Sequence, residues 1–288
     1  MKKLIFIFTV IFAFVSCNEE QLPIEESNEI HFNFGIATKV VGSAFGANDN
    51  VSLFAVEYAN STEMPLQVGG NYINNEKLTF NGSTWESTRS LYWSDNACDF
   101  YAFYPFQPSI GSIERYPFCV AVNQNGDGYE ASDLLYAVAK NVSRNGNPAT
   151  PVSMCFNHMM SKIVVILEKG PNFEGDIPDD VVAHIYNTIT SCHVDWSKGS
   201  VEKDASGSKN TITMKKISNS EFEAVLVPQN IEKRTPLIEL TMGGIAYLLE
   251  YSLSFRPGYV HTVTVTLNTS PDQEQIEISI DPSVNDWN

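Results

Sequence analysis

The chain has 288 residues, with 18 Lys and Arg against 34 Asp and Glu, and a formal net charge of −16 at pH 7. A field of that sign repels nucleic acid and anionic lipid head groups, so nucleic-acid partners are excluded. Apolar residues make up 43% of the chain and charged residues 18%, which is typical of a folded protein and excludes a disordered one.

The N-terminus has the three parts of a secretory signal peptide, which we assign to residues 1–16. Two lysines precede an apolar run from Leu4 to Val15, and the small residue Ser16 follows it. A helix made of this run rises about 1.5 Å per residue and falls well short of a hydrocarbon core of about 30 Å. The run therefore does not cross a membrane by itself.

Cys17 stands at the predicted cleavage point, and the segment around it resembles the lipobox of bacterial lipoproteins. This resemblance implies that the Cys17 thiol is acylated, with palmitate as the expected lipid, and becomes the mature N-terminus. The pair Glu19-Glu20 resembles the export signal of Bacteroidetes lipoproteins, which implies a lipid anchor in the outer membrane with the protein facing outwards. The alternative is an ordinary secreted protein whose Cys17 is unmodified.

After an acidic tether at residues 17–28, alternating apolar residues predict strands. In EIHFNFGIA the side chains of Ile30, Phe32, Phe34 and Ile36 fall on one face, which is typical of a half-buried strand. Further strand patterns begin at Val51, Cys98, Phe118, Lys162, Thr211, Glu221, Ala246 and Tyr259. Turn residues separate them, and no segment has a convincing helical period. We therefore predict an all-β chain of two antiparallel β-sandwich domains.

The boundary between the two domains is predicted near residue 158. A chain of this length exceeds the usual size of one domain. The run RNGNPATP, Arg144 to Pro151, is the richest group of turn residues in the middle of the chain, and a strand pattern follows it. The predicted domains are therefore residues 29–158 and 159–288.

Four cysteines follow Cys17: Cys98, Cys119, Cys155 and Cys192. Four cysteines allow three pairings, and the sequence does not choose among them. Cys98 and Cys119 both lie in strand patterns of the first half, so one expectation is that they face each other across a sheet. The other expectation is free thiols, because a chain of this size does not need disulfides to fold.

Motifs for metal binding or catalysis are incomplete. NQNGDGYEASDL begins like a calcium loop, but Leu134 stands where the bidentate Glu is required, which favours a solvated hairpin loop. Cys155-x-x-His158 and Cys192-His193 offer four ligands, but neighbours on a strand point to opposite faces. Ser200-x-x-Lys203 lies in a turn-to-strand stretch, and G-x-S-x-G is absent. We predict no enzyme activity, no metal site and no cofactor.

The four tryptophans suggest an alternative function. Aromatic platforms stack on sugar rings in carbohydrate-binding β-sandwiches, so an exposed row of these rings would favour a glycan-binding surface lipoprotein. Aromatic residues of an all-β chain also serve as core and cross-strand pairs. The residues concerned are Trp85, Trp93, Trp196 and Trp287.

Eight segments in order resemble the fimbrillin (Mfa-like) family, the type V pilins of Bacteroidetes. The segments are EIHFNFGIATK at Glu29, NDNVSLFAVEY at Asn48, LYWSDNACDFYAFYP at Leu91, SDLLYA at Ser132, VSMCFNHMMSKIVVIL at Val152, LVPQ at Leu226, LSFRPGYVHTVTVTL at Leu253 and IEISIDPSVNDWN at Ile276. The resemblance implies two transthyretin-like β-sandwich domains and a pilus built with other pilin subunits by strand exchange.

In such pilins a trypsin-like surface protease removes the lipidated N-terminal segment together with the first strand. Carried onto this chain, the displaced strand has Ile30, Phe32, Phe34 and Ile36 on its buried face. The expected cleavage site is Lys39, the only Lys or Arg between Lys3 and Lys77. Because the best-known processed pilins are cut after Arg, and the first Arg of this chain is Arg89, an unprocessed anchor or accessory subunit is the alternative.

The strand that fills the vacated groove comes from another subunit, and the C-terminal tail of this chain has a suitable pattern. Ile276, Ile278 and Ile280 alternate with polar residues. A donor strand and an ordinary edge strand of the second domain both fit this pattern. Together the resemblances imply a lipid-anchored cell-surface precursor that enters a pilus after processing.

Overall fold

The computed structural model describes residues 28–37, 44–144, 150–269 and 278–287, and these residues form an almost entirely β structure. The elements are β1 (Phe32–Ile36), β2 (Asn50–Glu57), β3 (Ile73–Phe80), β4 (Trp85–Ser87), β5 (Cys98–Tyr104), β6 (Tyr116–Cys119), α1 (Gly128–Ser132), β7 (Leu135–Val142), β8 (Val152–His158), β9 (Ser161–Asn172), β10 (Val182–Ile189), β11 (Ser191–Asp195), β12 (Ser200–Lys203), β13 (Lys209–Thr213), β14 (Lys215–Lys216), β15 (Glu221–Leu226), β16 (Asn230–Ile231), β17 (Pro236–Met242), β18 (Ile245–Glu250), β19 (Leu253–Ser254), β20 (Tyr259–Thr269) and β21 (Ile278–Asp286). None of the helices in these ranges is long and apolar enough to cross a membrane.

The strands form several sheets, and most ladders are antiparallel. The largest sheet has seven strands in the order β1-β8-β7-β5-β2-β3-β4, and the next has five in the order β14-β15-β9-β20-β21. Smaller sheets have the orders β13-β10-β17-β18, β12-β11-β6 and β16-β19. The all-β prediction is confirmed. The pairs β1–β8 and β9–β20 are parallel, a feature that alternation along a single strand does not reveal.

The central strands of the seven-stranded sheet are buried on both faces. On β2, Leu53 packs into one hydrophobic cluster and the next residue, Phe54, packs into a second cluster. On β5, Phe100 and Phe103 divide in the same way. Because successive side chains of a strand point to opposite faces, the continuous apolar runs of β2 and β5 join the two clusters through one sheet.

The membership of the two hydrophobic clusters indicates where the chain divides into domains. The first cluster takes its buried residues from Ile30 to Phe156, whereas the buried cluster members from Met159 onward all belong to the second. We propose that the division lies near residue 158. Strand β6 precedes this point in sequence but pairs with β11, so the first half of the chain contributes to a sheet of the second half.

The segment NQNGDGYEASDL forms a short helix within its loop, where a hairpin loop was expected. The Ser132 hydroxyl at the end of α1 donates to Gly128 O at 2.6 Å and accepts from the Ala121 N–H at 2.9 Å. A Cβ on Gly128 would lie 2.1 Å from Asn123 O, so only glycine fits where the loop closes on itself. Gly128 therefore serves close backbone packing.

The four cysteines of the body are free. The expectation that Cys98 and Cys119 face each other is wrong, because β5 belongs to the seven-stranded sheet and β6 pairs with β11 in another. Cys98 and Cys192 are buried, and Cys119 and Cys155 are exposed. Strand patterns alone could not place β5 and β6 in different sheets.

Candidate functional site

Strand β1 lies at an edge of the seven-stranded sheet and is held by one parallel ladder to β8. The Val152 N–H donates to His31 O at 2.8 Å, and the Ala37 N–H donates to Phe156 O at 2.8 Å. Because backbone groups alternate in direction along a strand, those of Phe32, Phe34 and Ile36 point away from β8. Along its length β1 therefore presents a free edge.

The residues just before β1 are held by a different segment. The Ile30 N–H donates to Leu91 O at 2.7 Å, and the Trp93 N–H donates to Asn28 O at 2.9 Å. Glu29 and Tyr92 form an isolated antiparallel bridge. The predicted strand Ile30 to Ile36 thus begins as a bridge to residues 91–93 and continues as the ladder to β8.

The inner face of this segment is packed with apolar side chains. Ile30, Phe32 and Phe34 are buried, and Ile36 packs against the same cluster while half-buried. The Phe34 ring centroid lies 5.5 Å from that of Phe156, in an edge-to-face contact. Since full burial of such a side chain stabilises by about 1.5–3 kcal/mol, packing contributes more to holding β1 than its single ladder does.

The free edge of β1 faces β4, the strand at the opposite edge of the same sheet. A cleft of about 490 Å³ lies between them, lined by Phe32, Leu78 and Glu86 among others. A neighbouring cleft of about 400 Å³ is lined by Phe34 and Trp85, whose ring centroids lie 5.0 Å apart. The sheet thus curls until its two edge strands touch through side chains.

The C-terminal strand β21 is also an edge strand. It pairs antiparallel with β20, with Ile278 opposite Leu267 and Ile280 opposite Val265. The side chains of residues 281–286 are exposed, and Trp287 is buried. The first and last strands of the described chain therefore both lie at sheet edges. Replacing either strand would break only one ladder, that of β1 to β8 or that of β21 to β20.

A family model described as fimbrillin-like matches residues 38–287. The chain belongs to the fimbrillin-like family. The family predicted from the sequence is thereby confirmed. A comparison with curated proteins gave no match.

Solved structures resemble this fimbrillin-like chain in fold. A putative cell adhesion protein of Bacteroides uniformis superposes with a TM-score of 0.69 at 18% identity, covering 91% of this chain and 100% of that one. A putative cell adhesion protein of Bacteroides ovatus gives 0.68 at 17% identity, covering 90% and 96%. A fimbrial protein of Bacteroides vulgatus gives 0.58 at 13% identity, covering 91% and 100%.

The predicted site residues of this family member fall in three groups. Cys17, Lys39 and Ile276 lie outside the described residues. The first-strand residues come together on the buried face of β1 and the segment before it. Ile278 and Ile280 lie on β21, within the same subunit.

The partner strand of β1 is the main feature that the sequence prediction missed. Along β8, Val152, Met154, Phe156 and His158 are buried and the residues between them are exposed. This alternation was available in the sequence, and it continues the pattern that precedes Lys162. A strand beginning at Val152 could therefore have been predicted, although its pairing with β1 could not.

The residues considered for metal binding are not brought together. Cys155 and His158 lie three positions apart on β8, so their side chains point to opposite faces. Among the residues that the structure describes, no group of three or more His, Cys, Asp or Glu side chains could hold a metal ion. His158 instead pairs through Nδ1 with Asp133 Oδ1 at 2.9 Å.

The side chains that could act as nucleophiles are not placed or ionised as a catalytic site requires. Ser200 and Lys203 lie three positions apart on β12 and thus point to opposite faces. Burial raises the pKa of the Cys98 and Cys192 thiols to about 12, so both stay protonated at neutral pH. A protonated buried thiol is a poor nucleophile.

The tryptophans do not form an exposed row. Trp93, Trp196 and Trp287 are buried. The Trp196 ring stacks on Phe103 with centroids 4.3 Å apart, and both rings belong to the second cluster. Trp85 is half-buried beside β1. These rings serve packing. The described residues therefore do not show the exposed row of tryptophan rings that would favour glycan binding.

Proposed function

We propose that this chain is a structural subunit of a cell-surface pilus, exported as a lipoprotein and assembled by strand exchange after proteolysis. The observation that carries the proposal is the placement of β1, an edge strand whose apolar face is buried and whose backbone is paired on one side. Membership of the fimbrillin-like family supports the pilus role. So does the likeness in fold to the protein of Bacteroides vulgatus, which is described as fimbrial.

The proposed trigger is a cut after Lys39 by a trypsin-like surface protease. Lys39 follows Ile36, the last residue of β1, by three positions. The cut would therefore detach the lipid on Cys17, the tether and β1 as one piece. Until then, the lipid holds the precursor at the outer face of the outer membrane.

Loss of β1 would leave a groove that an incoming strand can fill. Its walls would include the rings of Phe100, Phe156 and Trp85, which β1 now covers. The edge of β8 would lose its ladder from Val152 to Phe156. Unpaired backbone beside an apolar slot is satisfied by a strand of alternating character, which supplies hydrogen bonds and side chains together.

The proposed donor is the C-terminal segment containing Ile276, Ile278 and Ile280, offered to another pilin subunit. Within its own subunit this segment leads into β21, which pairs with β20 alone among the described strands. Releasing β21 thus opens one ladder. The donor pattern of three alternating isoleucines matches the alternation of Ile30, Phe32 and Phe34 in the strand it would replace.

The test is mild trypsin treatment of the mature chain without its lipid, followed by intact-mass measurement and electrophoresis of unboiled samples. The expected result is loss of the residues up to Lys39 and a ladder of heat-sensitive oligomers. The matched control is Lys39→Ala, which should block that cut and the ladder while leaving cuts at other sites unchanged. A chain cut at Lys39 that stays monomeric would contradict the role in the pilus shaft, and resistance at Lys39 would contradict the trigger.

A further inference from the structure

Trp287 is the one buried side chain of residues 281–287. The residues from Asp281 to Asp286 are exposed along the edge of the five-stranded sheet, whereas Trp287 belongs to the second hydrophobic cluster. Strand β21 also contains Pro282, which has no N–H to donate to the ladder. Among residues 281–287, the one side chain that anchors the strand by burial therefore lies at its end.

The Trp287 ring rests on His158. The two ring centroids lie 4.0 Å apart and the planes are inclined by 8°, so the rings are stacked. His158 is oriented by Asp133, whose Oδ1 lies 2.9 Å from His158 Nδ1. The backbone N–H of Trp287 donates to Gly258 O at 2.7 Å, and the backbone N–H of Gly258 donates to Met160 O at 2.8 Å. Ring and backbone of Trp287 are both held at one place.

The place that holds Trp287 is the end of β8, and β8 is also the partner of β1. The β8 ladder to β1 runs from Val152 to Phe156. In the described part of the chain, the ladder to β7 covers only the last two residues of β8, Asn157 and His158. Ile36 at the end of β1 lines the same cleft as His158 and Trp287. The seat of the C-terminal strand is thus built on a strand that β1 supports.

We propose that the Trp287–His158 stack is a latch that keeps β21 on its own subunit, and that β1 holds the latch closed through β8. When β1 is displaced, β8 loses its main ladder partner, His158 becomes mobile, and Trp287 leaves its seat. The C-terminal strand is then freed after the groove of the same subunit has opened. This order prevents an unprocessed subunit from offering its strand. The role in assembly rests on the proposed function, whereas the seating of β21 does not.

The test is hydrogen–deuterium exchange of the uncut, unlipidated chain, followed by mass spectrometry of peptides covering residues 278–287. In Trp287→Ala we expect these amides to exchange at least about tenfold faster than in the parent chain, because the strand loses its buried anchor. His158→Ala should have the same effect through loss of the facing ring. The control is Val284→Ala, at an exposed position of β21, which should leave exchange unchanged.

The control exerted by β1 is tested in the same uncut chain with Asn33→Pro. The alternation of the parallel ladder directs the Asn33 N–H at β8, so proline removes one bond between the strands and no buried side chain. Asn33→Ala is the matched control. We expect Asn33→Pro to speed exchange in β1 and in residues 278–287, and Asn33→Ala to speed neither.

Two results would overturn the inference. If Trp287→Ala leaves the tail protected, the ladder to β20 seats the strand and there is no latch. If Asn33→Pro speeds exchange in β1 while the tail stays protected, β1 does not control the latch. Both measurements use monomers that have not been cut, so they stand apart from the trypsin experiment, whose failure would instead remove the proposed pilus assembly.

Discussion

Phe34 of β1 meets Phe156 of β8 edge to face, with ring centroids 5.5 Å apart and planes inclined by 80°. The ring of Phe34 also contacts Trp85 from the opposite edge of the sheet. The Phe34 side chain therefore links β1 both to its ladder partner β8 and to β4 across the cleft. We expect the strength of these contacts to influence how firmly β1 is held.

Phe34→Ala should weaken the seating of β1. Removing a buried Phe ring costs about 3–5 kcal/mol, so the free energy of unfolding in urea should fall by that amount. Cleavage after Lys39 should also become faster, because β1 opens more often. Asn33→Ala, at an exposed neighbouring position, should change the unfolding free energy by less than about 0.5 kcal/mol. Equal cleavage rates in the two variants would contradict the proposed access route.

Gln229→Ala should destabilise the second half of the chain. The Gln229 amide accepts from the Ile189 N–H at 2.9 Å and donates to Ile189 O at 2.9 Å and Val227 O at 3.0 Å. Each buried group left without a partner costs about 1–3 kcal/mol, so we expect a loss of about 3 kcal/mol in denaturant unfolding. The exposed Gln67→Ala is the control. A loss below about 1 kcal/mol would show that other groups replace the amide.

Gly199→Ala should be more damaging than Gly175→Ala, although both glycines have positive φ. At Gly199, with φ of 62°, a Cβ would lie 2.2 Å from the Tyr136 ring, whereas nothing lies within 4 Å at Gly175, with φ of 76°. We expect about 1–2 kcal/mol for the backbone conformation alone at Gly175, and about 1–3 kcal/mol more at Gly199 for the clash. Thermal and urea unfolding measure the difference. Equal losses would mean that Tyr136 moves aside freely.

His261 should make the fold sensitive to acid. Burial, with the nearby Arg256 charge, lowers its pKa from 6.5 to about 4. The unfolded chain therefore binds a proton at this site between about pH 6.5 and 4 while the folded chain does not, so folding stability falls as pH falls through that range. At about 1.36 kcal/mol per pKa unit the loss approaches about 3 kcal/mol. Urea unfolding at several pH values should reveal a shallower dependence in His261→Gln, and an unchanged dependence would contradict the assignment.

Of the four cysteines that follow Cys17, two thiols should react quickly and two should be protected by burial. Cys119 and Cys155 are exposed, and Cys98 and Cys192 are buried with a pKa raised to about 12. At pH 8 only about one in ten thousand of each buried thiol is ionised, and only the thiolate reacts. A thiol reagent added to the chain carrying Cys17→Ser should titrate two groups quickly and the other two after unfolding. Fewer than four groups after unfolding would indicate a disulfide.

The sequence alone determined the strand character of the chain and the buried face of its first strand. Alternation placed Ile30, Phe32 and Phe34 together, and they are buried together, because a side-chain period of two is a local property of the backbone. The continuous apolar runs of β2 and β5 likewise indicated strands. The eight family segments indicated the fimbrillin-like family, which the family model confirms.

Only the tertiary structure decided which strands pair and in which direction. Alternation is the same for parallel and antiparallel neighbours, so nothing along β1 could reveal its parallel ladder to β8. The joining of β6 to β11, which separates Cys119 from Cys98, depends on contacts between distant parts of the chain. The stacking of Trp287 on His158 depends on them too. Local periodicity governs what a segment forms, whereas packing between segments governs what it touches.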